Sequence, residues 1–319
     1  MLSRIADSLF WTARYMDRAE NAARLLDVTY HMLLEQSQQT YRLRWEAVIT
    51  ISSDQDLFYR LYKEATPENV CAFLLFSTEN QNSVVSCVTN VRENARAIRD
   101  RISREMWENV NGLYHRLREI RESAEIPNAI HGFCREIIAA SHAFNGITDS
   151  TLPHDEGWHF LQAGRALERT ENTARILDVE YHKLLETPAA AQHADNHQWI
   201  AVLKSVAAYE IFRRAYHSAI EPQHVAELLI LHPQHPRSVR FNIAWLQGSL
   251  RAISGTGPHR YSNEAERLTG KLHDSLVYDR IEDIFARGLH VFLNDLEGTC
   301  REIGEHIAST YFYYAGVAS

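Results

Sequence analysis

Apolar and polar positions repeat with a helical period along most of this 319-residue chain. One apolar stripe runs from Val84 to Ile102 in steps of three and four residues, and a second runs from Val239 to Ile253. Such steps place side chains on one face of an α-helix, whereas a half-buried strand would alternate every second residue. Only 13 glycines and 8 prolines are available to interrupt the helices. The pattern therefore predicts an all-α protein with roughly six helices in each half.

Local signals predict where several helices begin and where loops separate them. Thr66-Pro67-Glu68, Glu221-Pro222 and the stretch 153–156 each combine a proline with a capping or acidic residue, as is typical of a helix start. Breaks between helices are predicted at 77–83, 187–196, 232–238 and 255–258, followed by a loose tail at 313–319.

One stretch of the chain occurs twice. The sequence MDRAENAARLLDVTYHMLLE (16–35) returns as LERTENTARILDVEYHKLLE (167–186), and 14 of the 22 residues from Arg14 to Glu35 are identical at a spacing of 151. The match continues with small shifts through Trp45 and Trp199 to Ser83 and Ser238. A period this long predicts a tandem duplication into two homologous halves, 1–152 and 153–319, packed as one domain about a pseudo-twofold axis.

We call the repeated segment the motif helix. One of its faces is apolar and predicts a core contact, while the other face carries charged and amide side chains. With the adjacent arginines, the candidate ligand- or partner-binding residues are Asp17, Arg18, Glu20, Asn21, Arg24, Asp27 and His31 in the first copy, and Glu168, Arg169, Glu171, Asn172, Arg175, Asp178 and His182 in the second.

Three interpretations of this polar face remain open from the residues alone. It is a solvated face with weak ion pairs, a buried polar seam between the halves, or a site for a ligand or partner. A site would suit a peptide or amino acid, because arginine binds carboxylate or phosphate through a planar fork and a carboxylate receives an amine. In an enzyme, Glu20 and Glu171 would act as acid or base while Arg24 and Arg175 bind substrate.

Charge and composition narrow the function classes. The net charge of -8 argues against nucleic acid, whose phosphates need a basic surface. No run of apolar residues is long enough for a membrane span, and the N-terminal stretch does not resemble a signal peptide. The four cysteines form no CxxC pair, which speaks against a disulfide framework or a zinc–thiolate site. We therefore expect a cytoplasmic protein that binds neither nucleic acid nor membrane.

The 17 histidines suggest metal sites, but no spacing matches a known one. The pairs His193 with His197 and His232 with His235 lack the glutamate of a zinc-binding helix and are expected to be exposed or hydrogen-bonded. Asp27-x3-His31, repeated from Asp178 to His182, differs from the Glu-x-x-His of di-iron bundles.

A cysteine–histidine pair is the remaining candidate for chemistry. Cys134 lies near His131 and His142 in the sequence, but its apolar helical surroundings indicate a buried thiol. We expect no metal and no cofactor.

At the motif helices the sequence resembles the alpha-E family, a bacterial all-helical domain named for a Glu-Arg motif. The stretches ARYMDRAENAARLLD (13–27) and GRALERTENTARILD (164–178) resemble its two signature copies, and MLSRIADSLFWTARY (1–15) and GITDSTLPHDEGWHFLQAGR (146–165) resemble its other conserved stretches. The literal Glu-Arg pair is Glu168-Arg169, whereas the first copy has Asp17-Arg18.

The resemblance implies a genomic setting more than a mechanism. Such proteins are typically encoded beside a circularly permuted ATP-grasp protein and a transglutaminase-like protein, and sometimes near a proteasome-like Anbu hydrolase. The implied role is that of a non-catalytic partner, or of a peptide- or carrier-binding component, in peptide synthesis or modification. The alternatives are an enzyme of the same pathway, acting on a peptide or amino acid at the paired Glu/Arg site, and a purely structural scaffold.

Overall fold

The computed structural model describes residues 1–33, 38–122, 126–185, 192–216 and 219–312. Within these ranges every regular element is a helix and none is a strand, which confirms the predicted all-α class. The tail predicted at 313–319 lies outside the described residues. None of the described helices is long and apolar enough to cross a membrane.

The chain packs into two compact units. Unit 1 contains Met1–Arg14, Leu152–His182 and Ala208–Ser319, and unit 2 contains Tyr15–Thr151 and Lys183–Ala207. Each unit therefore takes segments from both halves of the sequence repeat, and the repeat boundary at 152/153 stays a prediction.

Two long helices carry the motif. Helix α1 (Ser3–Leu33) contributes its first residues to unit 1 and its remainder to unit 2, and α8 (Glu156–Leu185) belongs to unit 1 as far as His182. The other helices of unit 2 are α2 (Gln38–Ser52), α3 (Gln55–Leu61), α4 (Pro67–Cys71) with a π-helical turn (Ala72–Phe76), α5 (Val84–Ala97), α6 (Arg104–Glu122), α7 (Ile126–Thr151) and α9 (Gln192–Ser205). Those of unit 1 are α10 (Tyr209–Ala215), α11 (Pro222–Leu231), α12 (Val239–Ser254), α13 (Glu264–Tyr278), α14 (Ile281–Arg287) and α15 (Leu289–Ile307) with a π-helical turn (Ala308–Phe312).

These helices outnumber the predicted six per half. Four of them are short: α3, α10 and α14 have 7 residues each and α4 has 5, too few to show a helical period, although Thr66-Pro67-Glu68 predicts the start of α4. The loop predicted at 187–196 is wrong from residue 192 onward, because α9 begins there. Trp199 and Leu203 of α9 are buried in the core of unit 2, and this packing stabilises a helix whose polar start gave no signal.

The predicted starts and loops agree with the structure elsewhere. Thr66 accepts a hydrogen bond from the backbone N–H of Asn69, and Asp155 does the same for Gly157 at the start of α8. Ser83 and Ser238, which correspond in the repeat, cap α5 and α12. The chain forms loops at 77–83, 232–238 and 255–258.

Within unit 1 the first residues of α1 pack closely against α8. A Cβ atom on Gly164 would lie 2.2 Å from the backbone oxygen of Phe10, so only glycine fits at this crossing. Arg14 lies one turn beyond Phe10, and the crossing brings its guanidinium to the acidic residues of the second motif copy.

Candidate functional site

The first copy of the motif lies in unit 2, and its central glutamate is buried. Glu20 accepts hydrogen bonds from Arg24 Nη2 at 2.7 Å and from the Ser141 hydroxyl of α7 at 3.0 Å. The predicted pairing of Glu20 with Arg24 is thus present, but Glu20 and Asp17 are almost wholly inaccessible to solvent. A solvated face is therefore wrong for this part of the copy.

At the C-terminal end of this copy the motif meets a second helix. The His131 Nδ1 of α7 is hydrogen-bonded to Asp27 Oδ1, and the ring centroids of His31 and His131 are 4.2 Å apart. Arg18 donates a hydrogen bond to Asn82 at 2.8 Å in the loop before α5. Helix α7 and this loop therefore surround the polar face.

The second copy lies in unit 1 as far as His182, and its glutamates pair with Arg14. The guanidinium of Arg14 donates to Glu168 at 2.8 Å and to Glu171 at 2.5 Å. Arg14 and Glu168 are buried, while Glu171 is partly accessible. Asn172 adds a weaker contact to Glu168 at 3.4 Å. The contacts of Arg14 with Glu168 and Glu171 therefore resemble the buried polar seam, the second of the three interpretations.

Beside this seam unit 1 has a pocket of about 330 Å³. Among the described residues, the charged side chains that line it are Arg14, Arg175, Arg301, Glu171, Glu297 and Glu305. Phe10, Trp11 and Phe312 form an apolar wall. The nearest contact of Arg175 with Glu297 is 3.9 Å, too long for a hydrogen bond, so their charged groups face the pocket without a tight pair between them.

Burial raises the pKa of Glu297. Arg175 opposes the shift, whereas Asp178 and Glu171 add to it. A carboxyl group with a raised pKa exchanges protons more readily near neutral pH than an ordinary glutamate does. The pocket thus combines cationic groups with a carboxyl group, that of Glu297, whose pKa is raised.

The C-terminal end of the second copy differs from that of the first. His290 of α15 lies 2.7 Å from Asp178, with its second ring nitrogen 3.1 Å from the Asn294 side chain. The ring of His182 stacks on that of His290 with centroids 5.2 Å apart.

The remaining arginine of the second copy, Arg169, lies near a buried histidine. His235 has a pKa lowered to about 4, first by burial and then by the charges of His232, Arg237 and Arg169. His235 was expected to be exposed or hydrogen-bonded, and this is wrong: it is 2% exposed, and within the described residues neither ring nitrogen has a hydrogen-bond partner.

His131 and His142 were considered only as possible partners of Cys134. Seven residues of the site are not among the candidates on the motif helix: Arg14, His131, Ser141, His142, His290, Glu297 and Arg301. Arg14 gave a signal, since it is identical to Arg165 in the repeat. His131 and His290 gave no signal at the spacing of 151, because they follow Asp27 and Asp178 by 104 and 112 residues. The spacing of the repeat is therefore not constant along the chain, and the correspondence between these two histidines is not visible at the spacing of the motif helices.

The remaining candidates lie elsewhere. All four cysteines are buried and free, and burial raises the pKa of Cys134, so the expected buried thiol is confirmed. His197 is exposed on α9, while the side chain of His193 lies outside the described part of the structure.

Relatives of the chain occur in mycobacteria. An uncharacterised protein of Mycobacterium bovis and two of Mycobacterium tuberculosis are each 25% identical to it over 338 aligned residues. The alignments cover 98% of this chain but 37% of each relative, so the chain spans little more than a third of their length. No solved structure matches the chain significantly. A family model described as a predicted alpha-helical domain with a conserved ER motif matches residues 1–312, and the chain therefore belongs to the Alpha-E family.

Proposed function

We propose that the chain is a non-catalytic component of an ATP-grasp-linked system for peptide synthesis or modification, and that it binds a peptide or carrier in the pocket of unit 1. The observation that carries the proposal is the lining of this pocket, where arginines and glutamates face one cavity beside an aromatic wall. The partners implied by the family resemblance are the ATP-grasp protein and the transglutaminase-like protein.

The charges suit a ligand with an amine and a carboxylate. Arg175 and Arg301 offer planar donors for a carboxylate, while Glu297 and Glu305 offer acceptors for an ammonium group. Phe10 and Phe312, whose ring centroids are 5.4 Å apart, provide an apolar surface for a side chain. A free amino acid presents all three features together, and a peptide terminus presents a side chain with one of the two charged groups.

The size of the pocket limits what part of a ligand enters it. A volume of about 330 Å³ is near the lower end of ordinary ligand pockets. It accommodates one or two residues of a peptide, so a longer chain would place its end in the pocket and continue outside. The ligand class is therefore an unblocked peptide terminus or a single amino acid.

The raised pKa of Glu297 favours one second candidate, an enzyme of the same pathway. In that case Glu297 would transfer the proton and Arg175 would hold the substrate carboxylate. This differs from the sequence-based assignment, which gave the acid–base role to Glu20 and Glu171. Glu20 is fully buried beneath Arg24 and Ser141, and Glu171 is held by Arg14.

The test begins with affinity purification from the native cell. The tagged chain, its Arg175→Ala/Arg301→Ala variant and an Arg24→Ala variant are each recovered, and the retained proteins are identified by mass spectrometry. Arg24 is the matched control because it occupies the same motif position as Arg175 but binds Glu20. We expect the wild type and the folded control to retain the ATP-grasp protein and the pocket variant to lose it.

A second measurement separates ligand binding from partner binding. The purified chain is titrated calorimetrically with unblocked tripeptides and with the same tripeptides amidated at the C-terminus. Binding of the unblocked set alone supports the carboxylate role of the arginines. Turnover of the tripeptides by the isolated chain would favour the enzyme, and retention of neither protein nor peptide would leave the structural scaffold as the function.

A further inference from the structure

We propose that Asp27, His31 and His131 in unit 2 bind a single divalent first-row transition-metal ion. One carboxylate oxygen and one nitrogen from each ring lie within 4.8 Å of one another. The sequence spacing gave no reason to expect a metal, because the third residue comes from another helix. The site is independent of the proposed function, which depends on the pocket of unit 1.

Two helices bring the three residues together. Asp27 and His31 are one turn apart on α1, where side chains four residues apart share a face. His131 lies on α7, and its Nδ1 is hydrogen-bonded to Asp27 Oδ1. Because both elements are helices rather than loops, the backbone positions of the three residues are well defined.

A metal ion requires small shifts of the side chains and replaces the hydrogen bond between Asp27 and His131. Bonds of about 2.0–2.2 Å place the ligand atoms of a tetrahedral zinc ion about 3.3 Å apart. The His31 and His131 side chains are 49% and 41% exposed, so both rings have space to rotate inward. Three protein ligands leave a position for water or substrate, as in catalytic rather than structural zinc sites.

One hydrogen bond within helix α1 determines which ring nitrogen of His31 is available to bind the ion. The Nδ1 of His31 lies 3.0 Å from the Asp27 backbone oxygen, which can only accept, so this nitrogen carries the proton. The lone pair is then on Nε2, and a hydrogen bond of this kind orients many metal-binding histidines.

The corresponding residues of unit 1 provide an internal comparison. Both ring nitrogens of His290 have partners there, Asp178 and Asn294. The ring of His182 lies nearly parallel to that of His290, at 17°, instead of converging with it. Of the described residues, only the unit 2 cluster brings three candidate ligand atoms together, so we expect one ion per chain.

The test uses the full chain without an affinity tag, because its own 17 histidines already contribute background binding. Zn²⁺ is titrated in competition with a chromophoric chelator, and Co²⁺ spectra report the coordination geometry. The variants are His31→Ala and His131→Ala, and His290→Ala is the matched control. His31→Ala keeps the fold, since the site is exposed and alanine is the better helix former.

We expect wild type and His290→Ala to bind one equivalent with the same affinity. His31→Ala and His131→Ala should each weaken binding by more than about tenfold. Equal affinity in all four proteins would overturn the proposal, as would a loss in His290→Ala as large as in His131→Ala. If His131→Ala proves unfolded by circular dichroism, His31→Ala alone decides.

Discussion

The two copies of the motif helix have the same charged residues but different surroundings. In unit 2, Arg24 turns back to the buried Glu20 of its own helix, and Ser141 completes the contact. In unit 1, the equivalent Glu171 accepts a hydrogen bond from Arg14 instead, and Arg175 lines a pocket. The same sequence thus gives a closed polar cluster in one unit and an open one in the other.

The difference originates in the partner helices rather than in the motif. Helix α7 presents Ser141 and His142 to Glu20, whereas α15 presents Cys300 and Arg301 near Glu171. A thiol is a weak donor compared with a hydroxyl. Identical motif residues can therefore have a structural role in one place and be free to bind in another.

The largest expected effect comes from removing the cation of the unit 1 seam. We expect Arg14→Ala to lower the free energy of unfolding by about 3–5 kcal/mol, because the buried Glu168 and the partly accessible Glu171 both lose their ion pair with Arg14. Urea denaturation measures the change. Arg104→Ala, at an exposed ion pair, is the control and should leave the urea midpoint unchanged. A similar midpoint for Arg14→Ala would show that the seam contributes little to stability.

The crossing of α1 over α8 sets the position of Arg14, and Gly164 tests it. We expect Gly164→Ala to destabilise the protein by about 1–3 kcal/mol, because the obstructing atom is a backbone oxygen that cannot rotate away. In Gly112→Ala on α6 the added methyl meets no atom within 4 Å, so helix propensity should stabilise that variant by about 0.5–1 kcal/mol. Thermal unfolding followed by circular dichroism compares the two, and a stable Gly164→Ala would mean that the helices separate without cost.

The sequence was sufficient for the parts of the fold that depend on local chemistry. Apolar periodicity predicted the long helices, and the predicted starts at Thr66 and Asp155 follow from side chains that accept from nearby N–H groups. The repeat also identified the glutamates and arginines of both copies.

What the sequence could not predict is which of these groups is paired. The partner of Glu20 lies 121 residues away at Ser141, and that of Glu168 lies 154 residues away at Arg14. Such distances depend on tertiary packing, and the shift in register between the halves removed the repeat as a guide. The open pocket and the buried seam were therefore indistinguishable before the fold was known.

A substitution at position 235 tests a difference between the two halves of the sequence repeat. The loop position of His235 corresponds to Asn80, which is buried but donates to the Phe73 backbone oxygen and accepts from Asn82 N–H. The pKa of His235 is lowered to about 4, below its ordinary value of 6.5, so the unfolded chain binds the proton first. Stability is then full above pH 6.5 and falls as the pH drops towards 4.

When the pH is lowered from 7 to 5, we expect the protonation of His235 in the unfolded chain to lower the free energy of unfolding by about 2 kcal/mol. We expect His235→Asn to remove this part of the acid dependence, which urea denaturation at the two pH values measures. His115→Asn, at an exposed histidine of α6, is the control and should retain it. Parallel pH profiles for wild type and His235→Asn would contradict the lowered pKa.

The smallest expected effect is also the sharpest test of the comparison between the copies. Arg175→Ala should change stability by less than about 0.5 kcal/mol, because its contact with Glu297 is long and partly accessible. Arg24→Ala should cost about 1.5–3 kcal/mol, because it removes a charged hydrogen bond from a fully buried carboxylate. Urea denaturation of the two variants gives the difference directly. Equal losses would mean that both motif arginines are structural, and the pocket of unit 1 would then have no arginine free for a ligand at this position.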